Sequence, residues 1–428
     1  FMGWSSWSLS GTHVTGYGRN WMTAATIKAE SDAMHKTLQA HGYDYINLDA
    51  FWYQQVGSNF AVDPYGRWTP DTTRFPNGIA DISDYVHDNG QKFGLYLVPG
   101  IPILAVQQNT PILGTSCHAL DIVVEPLTFG NHFKNTYKID YTKPCAQSYI
   151  NSIAEQLHSW KVNFLKIDAV APGSEVPGYD TRADIAAYSQ ALKPYHIWIE
   201  LSSSVDINSI STWQQYANGW RISGDVECYG HCPTSLTNWA KVSSRFSLAP
   251  TWAPYAKPGG WNDFDSLDVG NGSMDGLTND ERQSYMTLWA IESAPLYTGD
   301  DLTMLDSYGT SLLTNDEVIA VDQAGHPAVP VSQATPQQVW FAKNRDGSYT
   351  VALFNLDSAP ATVTANWSDL GFKGLTLIRD LWSHSWGISI DSFSASLPAH
   401  GSRLLKVWPL WQWEAINGKG RVPSSHMK

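Results

Sequence analysis

The chain has 428 residues, only 16% of them charged, and 40 acids against 27 Lys and Arg leave a net charge of −13. That balance excludes nucleic acid, whose binders replace condensed counterions with a basic patch, and attraction to anionic membrane surfaces. With 20 Trp, 20 Tyr and 14 Phe the chain is not disordered, and its length calls for two or three ordinary domains or one large barrel with a companion.

No window approaches the ~20 apolar residues of a membrane helix. The chain opens on Phe1-Met2-Gly3-Trp4 with no secretory leader before it, and is expected to be a mature or trimmed form. Short apolar runs then alternate with amphipathic stretches. Helical spacing over Thr26 to Ala40 (Ile27, Met34, Leu38) stops at Gly42. Tyr43 to Leu48 reads as a buried strand ending on Asp49. Ile79 to Asp88 is the next helix, and Lys92 to Val98 the next strand. Helix Ser148 to Trp160 precedes strand Asn163 to Ile167, which ends on Asp168. His196 to Leu201 carries Glu200, Trp220 to Ser223 leads into Asp225, and Leu296-Tyr297 leads into Gly299-Asp300-Asp301. Strand and helix repeated about eight times is the pattern of a (β/α)8 TIM barrel.

The pattern changes near Val321. Gln338 to Lys343 and Ser348 to Asn355 flank Asn344-Arg-Asp-Gly347 as a hairpin. Ala361 to Asn366, Leu375 to Asp380, Ser394 to Pro398 and Ser402 to Val407 continue as short strands. The expected organisation is a catalytic barrel over 1–325 and a C-terminal antiparallel β-sandwich over 326–408. Residues 409–428 form a tail that resembles vector-derived sequence. Four cysteines allow three connectivities; the pairing that closes short loops, Cys117–Cys145 with Cys228–Cys232, is the expected one. An even cysteine count and low charge point to secretion.

Chemistry in such a barrel lives at the C-terminal ends of the strands. Single acids stand there: Asp49, Asp168, Glu200, Asp225, Asp263 and Asp265, with Trp4, Trp52 and Trp261 near. Each could cap the following helix instead, but capping alone does not account for six around one mouth. Lys166 and Asp168 lie two apart on one strand and face one way. A lysine there keeps the acid ionised, as a nucleophile requires. Two carboxylates across an aromatic pocket are the equipment of glycoside hydrolysis. A Gly-rich phosphate loop, a Gly-x-Ser-x-Gly elbow and a His-Glu-x-x-His pair are all missing. Asp263, Asp265 and Asp268 could form an oxygen-ligand metal site, but the aromatic residues between them favour a sugar; no metal and no cofactor is expected.

Several strings together carry a family. Met2-Gly-Trp-Ser-Ser-Trp7, Gly42-Tyr-Asp-Tyr-Ile-Asn-Leu-Asp49, Phe75-Pro-Asn-Gly78 and Lys92-Phe-Gly-Leu-Tyr96 resemble glycoside hydrolase family 27, the α-galactosidase family. So do Phe164-Leu-Lys-Ile-Asp168, Trp220-Arg-Ile-Ser-Gly-Asp225 and Gly259-Gly-Trp-Asn-Asp-Phe-Asp265. The likeness is greatest to secreted actinobacterial members, through Gly3-Trp-Ser-Ser-Trp7 and Ser266-Leu-Asp-Val-Gly-Asn-Gly272. The resemblance implies a retaining exo-α-glycosidase acting on an oligo- or polysaccharide. Asp168 would be its nucleophile and Asp225 its acid/base. Trp4, Asp49, Trp52, Tyr96, Lys166, Glu200, Arg221 and Asp265 would bind the substrate.

The chain also departs from the family. Where α-galactosidases carry two consecutive acids and Cys-Trp, it reads Asp49-Ala50-Phe51-Trp52. The family's second acid grips the axial 4-hydroxyl of galactose, and Ala50 cannot. A charged hydrogen bond of this kind is worth about 1.5–3 kcal/mol, so the glycone is open. An enzyme of isomalto-dextranase type, acting on dextran-like α-1,6-glucans, is the alternative. After the nucleophile stands Ala169-Val170, so the family's usual disulfide there is absent. After Glu200 stands Leu201-Ser-Ser-Ser204, where relatives carry bulkier residues.

Overall fold

The structure is a computed structural model that describes residues 1–174 and 177–410; the tail expected over 409–428 lies almost entirely outside the described residues. The chain forms two compact units. One comprises 1–248, 255–277 and 294–314; the other comprises 249–254, 278–293 and 315 onward.

The first unit is the barrel. Its strands are β1 (Met2–Ser5), β2 (Tyr45–Leu48), β3 (Lys92–Leu97), β4 (Phe164–Ile167), β5 (Trp198–Leu201), β6 (Gly219–Arg221), β7 (Trp261–Asp263) and β8 (Leu296–Thr298). They pair in parallel in the order β7-β6-β5-β4-β3-β2-β1-β8. A parallel bridge from Leu267, just past β7, to Thr298 in β8 closes the ring. Around it run α1 (Ala24–Thr37), α2 (Gly78–Asp88), α3 (Ala146–Ser159), α4 (Arg182–Leu192), α5 (Ile210–Tyr216) and α6 (Trp239–Ser243). Thr23 opens α1 with a reciprocal cap: its hydroxyl accepts from the Thr26 N–H, and the Thr26 hydroxyl accepts from its own N–H. The α3 stripe of Tyr149, Ile150, Ile153, Ala154 and Leu157 is buried, as helical periodicity requires. Gly3 is needed in β1 because a Cβ there would run into the Tyr45 carbonyl and side chain of β2.

Helices α7 (Asn279–Ile291) and α8 (Asp316–Gln323) belong to the second unit with its strands. These are β9 (Gln337–Lys343), β10 (Tyr349–Asn355), β11 (Ala361–Asn366), β12 (Leu375–Asp380), β13 (Ser385–Ile390), β14 (Ser392–Leu397) and β15 (Ser402–Pro409). One antiparallel sheet runs from the short strand Val329–Pro330 through β9, β10, β15, β12 and β13; β11 and β14 form the second sheet. Val351, Leu353, Val363, Trp367, Phe372, Ile378, Leu405 and Val407 fill the space between them. α7 is tied to the strands by the Gln283 side-chain amide, which donates to the Ser402 carbonyl at 3.0 Å. Both expected disulfides, Cys117–Cys145 and Cys228–Cys232, are formed.

Candidate active site

The register sets the site. Tyr96, Lys166 and Glu200 are neighbours across β3, β4 and β5, so their side chains enter the barrel in one layer. Next to Glu200 in register stands Gly219. A Cβ there would collide with the Glu200 carboxylate, so this glycine makes room for a buried acid.

Above this layer opens a cavity of about 390 Å³ lined by Trp7, Asp49, Ala50, Tyr96, His132, Phe133, Lys166, Asp168, Ser202, Ser203, Arg221, Asp225 and Tyr229. Asp168 follows β4. It accepts from the Tyr96 hydroxyl at 3.0 Å, the Ala169 N–H at 2.7 Å and the Ser203 hydroxyl at 3.3 Å. Three donors hold its carboxylate in one orientation. Ala169 adopts φ 57° to turn its N–H back, a conformation that costs a non-glycine residue energy and that functional sites often retain.

Asp49 accepts from Lys166 Nζ at 2.7 Å and from the Ala50 N–H at 2.7 Å. Burial raises its pKa, and the lysine works against that rise. Lys166 loses solvation too, yet the Asp49 carboxylate outweighs this and holds its pKa above the ordinary value. The lysine was expected beside Asp168. It pairs with Asp49 instead, because Asp49 at the end of β2 reaches into the same layer; Asp168 is held by Tyr96, Ser203 and backbone.

Asp225 is bound differently. Arg221 Nη2 lies 2.5 Å from its Oδ1, and the Tyr229 hydroxyl donates to its Oδ2. Burial pushes the Asp225 pKa up, but Arg221, Tyr229 and Lys166 together hold it well below the carboxylate range. Tyr229 in turn receives the Trp7 indole N–H at 2.8 Å, and the Cys228–Cys232 bridge closes the turn that carries it.

Four candidates from the sequence do not line this cavity. Trp4 is buried, its indole donating to the Asp300 carbonyl at 2.7 Å. Trp52 is buried against Trp68 and Trp160 and donates to the Tyr96 carbonyl. Glu200 lies inside the barrel, its carboxylate bound by the Trp198 indole at 2.8 Å, and burial with Asp263 beside it raises its pKa strongly. Asp265 is buried, 3.6 Å from Arg221 Nη1, and accepts from the Val226 N–H at 2.8 Å. Trp261 begins β7, so it stands at the end of that strand opposite the mouth. The six expected acids thus divide: Asp49, Asp168 and Asp225 line the cavity, while Glu200, Asp263 and Asp265 do not.

Trp7, Ser203, Tyr229 and the His132–Phe133 pair, whose rings lie 4.0 Å apart, were not picked from sequence. Trp7 and Ser203 stand in the quoted strings Met2–Trp7 and Leu201–Ser204. Tyr229 had a signal in the cysteines that bracket it. Asp225, Glu227 and Asp265 bring carboxylate oxygens within 4.8 Å of one another, as metal ligands do. The Arg221 guanidinium, in contact with two of the three, already supplies positive charge there.

The family model "Alpha galactosidase A" matches residues 1–106 and 126–324. The model "Alpha galactosidase C-terminal beta sandwich domain" matches 334–407. The chain belongs to the α-galactosidase A family. It is 31% identical over 414 residues to an α-galactosidase of Coffea arabica, covering 95% of this chain and 93% of that protein. It is 30% identical over 424 residues to an α-galactosidase of Cyamopsis tetragonoloba, covering 95% and 86%. Among solved structures, a GH27 β-L-arabinopyranosidase of Geobacillus stearothermophilus superposes with a TM-score of 0.85 at 29% identity, covering 98% of this chain and 97% of that one. This chain is therefore a glycoside hydrolase of α-galactosidase type. The relatives do not favour the α-glucan alternative. No helix among the described residues is long and apolar enough to cross a membrane.

Proposed function

We propose that this glycosidase is exo-acting and retaining, with Asp168 as nucleophile and Asp225 as acid/base. The observation that carries the reading is that two carboxylates in one cavity are held by different partners. Asp168 is oriented by neutral donors, whereas Asp225 is gripped by Arg221 and Tyr229. Asp168 attacks the anomeric carbon while a protonated Asp225 gives its proton to the leaving glycosidic oxygen. Asp225 then takes a proton from water, and the water oxygen displaces Asp168 from the sugar. Asp225 must gain its proton as substrate arrives. A sugar that fills the cavity deepens the burial that already pushes Asp225 up, and a hydroxyl that draws off Arg221 removes what holds it down.

The glycone is a sugar with the ring configuration of α-galactose. Ala50 places a methyl group in the cavity wall where α-galactosidases carry a second acid. A second reading is a terminal β-L-arabinopyranoside, whose ring matches α-D-galactopyranose, axial 4-hydroxyl included, without the exocyclic hydroxymethyl group. The Geobacillus stearothermophilus relative bears that activity in its name. Two disulfides support an extracellular enzyme.

The test compares aryl α-galactoside, aryl β-L-arabinopyranoside, aryl α-glucoside and dextran. Turnover of either of the first two supports the reading, and turnover confined to the glucosides overturns it. Asp168→Ala should lose turnover altogether; full activity in that variant removes Asp168 as nucleophile.

A further inference from the structure

The second unit carries a groove of about 730 Å³ that the chemistry above does not use. Its floor is the outer face of the six-stranded sheet. Thr350 on β10, Lys406 on β15, Arg379 on β12 and Trp386 on β13 are successive cross-strand neighbours. Trp408 lies two residues beyond Lys406, on the same face. Val407, Leu405 and Ile378 alternate with these residues and fill the core. The far wall is α8, through Glu317, Ala320 and Val321, and the rim includes Arg345 of the β9–β10 turn and His326.

Three features distinguish this groove from ordinary surface. Trp386 is 56% exposed, although indoles are usually covered. It and Trp408 lie 5.6 Å apart with their planes 32° from parallel, forming one aromatic platform. The platform is held in place: Arg379 lies 5.2 Å over the Trp386 ring and is fixed by Glu317 at 2.6 Å, and Lys406 lies 5.5 Å over Trp408. Beside it, both indole N–H groups, Arg345 and His326 make no hydrogen bond or ion pair among the described residues. The acids of the groove are engaged, Glu317 by Arg379 and His384 and Asp346 by Lys406. That leaves Arg345 as an uncompensated cation on a chain of net charge −13.

We propose that this groove is a second, non-catalytic carbohydrate-binding site. A pyranose ring has an apolar C–H face, which an indole covers, and a rim of oxygens, which N–H donors and a guanidinium bind. The groove offers both within one sheet face. Arg345 takes either a hydroxyl of a neutral sugar or the carboxylate of a uronic acid. The site tethers a polysaccharide chain to the enzyme independently of cleavage.

The experiment is affinity electrophoresis of the full chain in native gels containing soluble galactan or polygalacturonate. Retardation by either supports the site, and the gel that retards tells which oxygen Arg345 reads. Trp386→Ala with Trp408→Ala should weaken the apparent affinity about tenfold, the scale of losing one aromatic contact pair. Turnover of an aryl glycoside should stay unchanged, which also shows that the variant folds. Arg345→Ala should weaken retardation without touching the packing of the platform. Asp168→Ala should be retarded like the wild type, which separates this site from the catalytic assignment. Absence of retardation in both gels, or equal retardation of the tryptophan variant, overturns the proposal. So does a change in sedimentation on Trp386→Ala with retardation unaltered, which would assign the face to contact between copies of the chain.

Discussion

Lys166 Nζ and Asp49 Oδ2 lie 2.7 Å apart, almost wholly buried, at the ends of strands β4 and β2. Breaking a buried pair from one side leaves a desolvated charge, at a cost of about 3–5 kcal/mol. Lys166→Met should therefore lower the denaturation midpoint strongly and abolish most activity. Asp49→Asn with Lys166→Met should recover much of the stability and none of the activity. Urea titration of the wild type and these two variants checks this. Equal stability of the single and double variants would mean that the pair carries no such energy.

Tyr229 tunes the acid. Its hydroxyl lowers the Asp225 pKa in company with Arg221. An acid/base catalyst held low gives a kcat/KM that falls as pH rises from an acidic optimum. Tyr229→Phe removes one lowering influence, so the Asp225 pKa rises and the basic limb moves to higher pH. Trp7→Phe, which loosens the Tyr229 hydroxyl, should move the limb the same way by less. A limb that stays in place in both variants would exclude this role.

Much of this was legible in sequence because buried parallel strands read as apolar runs. Tyr45–Leu48, Lys92–Leu97 and Phe164–Ile167 lie within runs visible in the chain. Met2–Ser5 and Trp261–Asp263 were found only as family strings, since strands of four and three residues with Gly, Ser, Asn and Asp give no apolar run. β13 was missed because its apolar residues face solvent: Trp386, Ile388 and Ile390 are all exposed. The side-chain partners were harder. Spacing put Lys166 and Asp168 on one face of a strand, but which acid the ammonium meets depends on the reach of β2, which no local pattern encodes. Strand ends likewise point acids inward without fixing their depth, so Glu200 and Asp265 resembled Asp168 in sequence and differ from it in burial.

Glu227 carries a pH signature. Burial, with Asp265 and Asp225 nearby, raises its pKa to about 8, while the Ser8 hydroxyl at 2.7 Å opposes the rise. An acid whose pKa is raised on folding binds its proton more tightly in the native state. Its stabilising contribution is complete below the unfolded value near 4.5 and is lost as pH climbs toward about 8. Glu227→Gln keeps a neutral side chain for Ser8 and removes the titration. Melting temperature should fall less steeply between these pH values in Glu227→Gln than in the wild type. Parallel curves would exclude a titrating Glu227.

The Cys117–Cys145 bridge closes a segment that includes His132 and Phe133 of the cavity wall. Residues 107–125, which contain Cys117, fall outside the matched stretches of the family model, so this staple is a local addition. Cys117→Ser with Cys145→Ser frees the segment and leaves Asp168 and Asp225 untouched. KM should rise for oligosaccharides that extend past the cleaved bond, with little change in kcat on a small aryl glycoside. A matching fall in kcat on both substrates would show that the bridge supports the catalytic carboxylates instead.

Ala50 decides how the sugar is read. Ala50→Asp restores a second carboxylate beside Asp49, within reach of the cavity. One charged hydrogen bond to a sugar hydroxyl is worth about 1.5–3 kcal/mol, or roughly ten- to hundredfold in kcat/KM. The α-galactoside and the β-L-arabinopyranoside both present that axial hydroxyl, whereas glucose carries it equatorial, so the ratio of α-galactoside to α-glucoside turnover should rise. The added charge is buried beside Asp49, with Lys166 as the shared cation, so the variant should also be less stable than the wild type. Restoration of the acid without a change in the ratio would mean that position 50 does not touch the sugar, and that the glycone is chosen by Trp7, Ser203 and the His132–Phe133 wall.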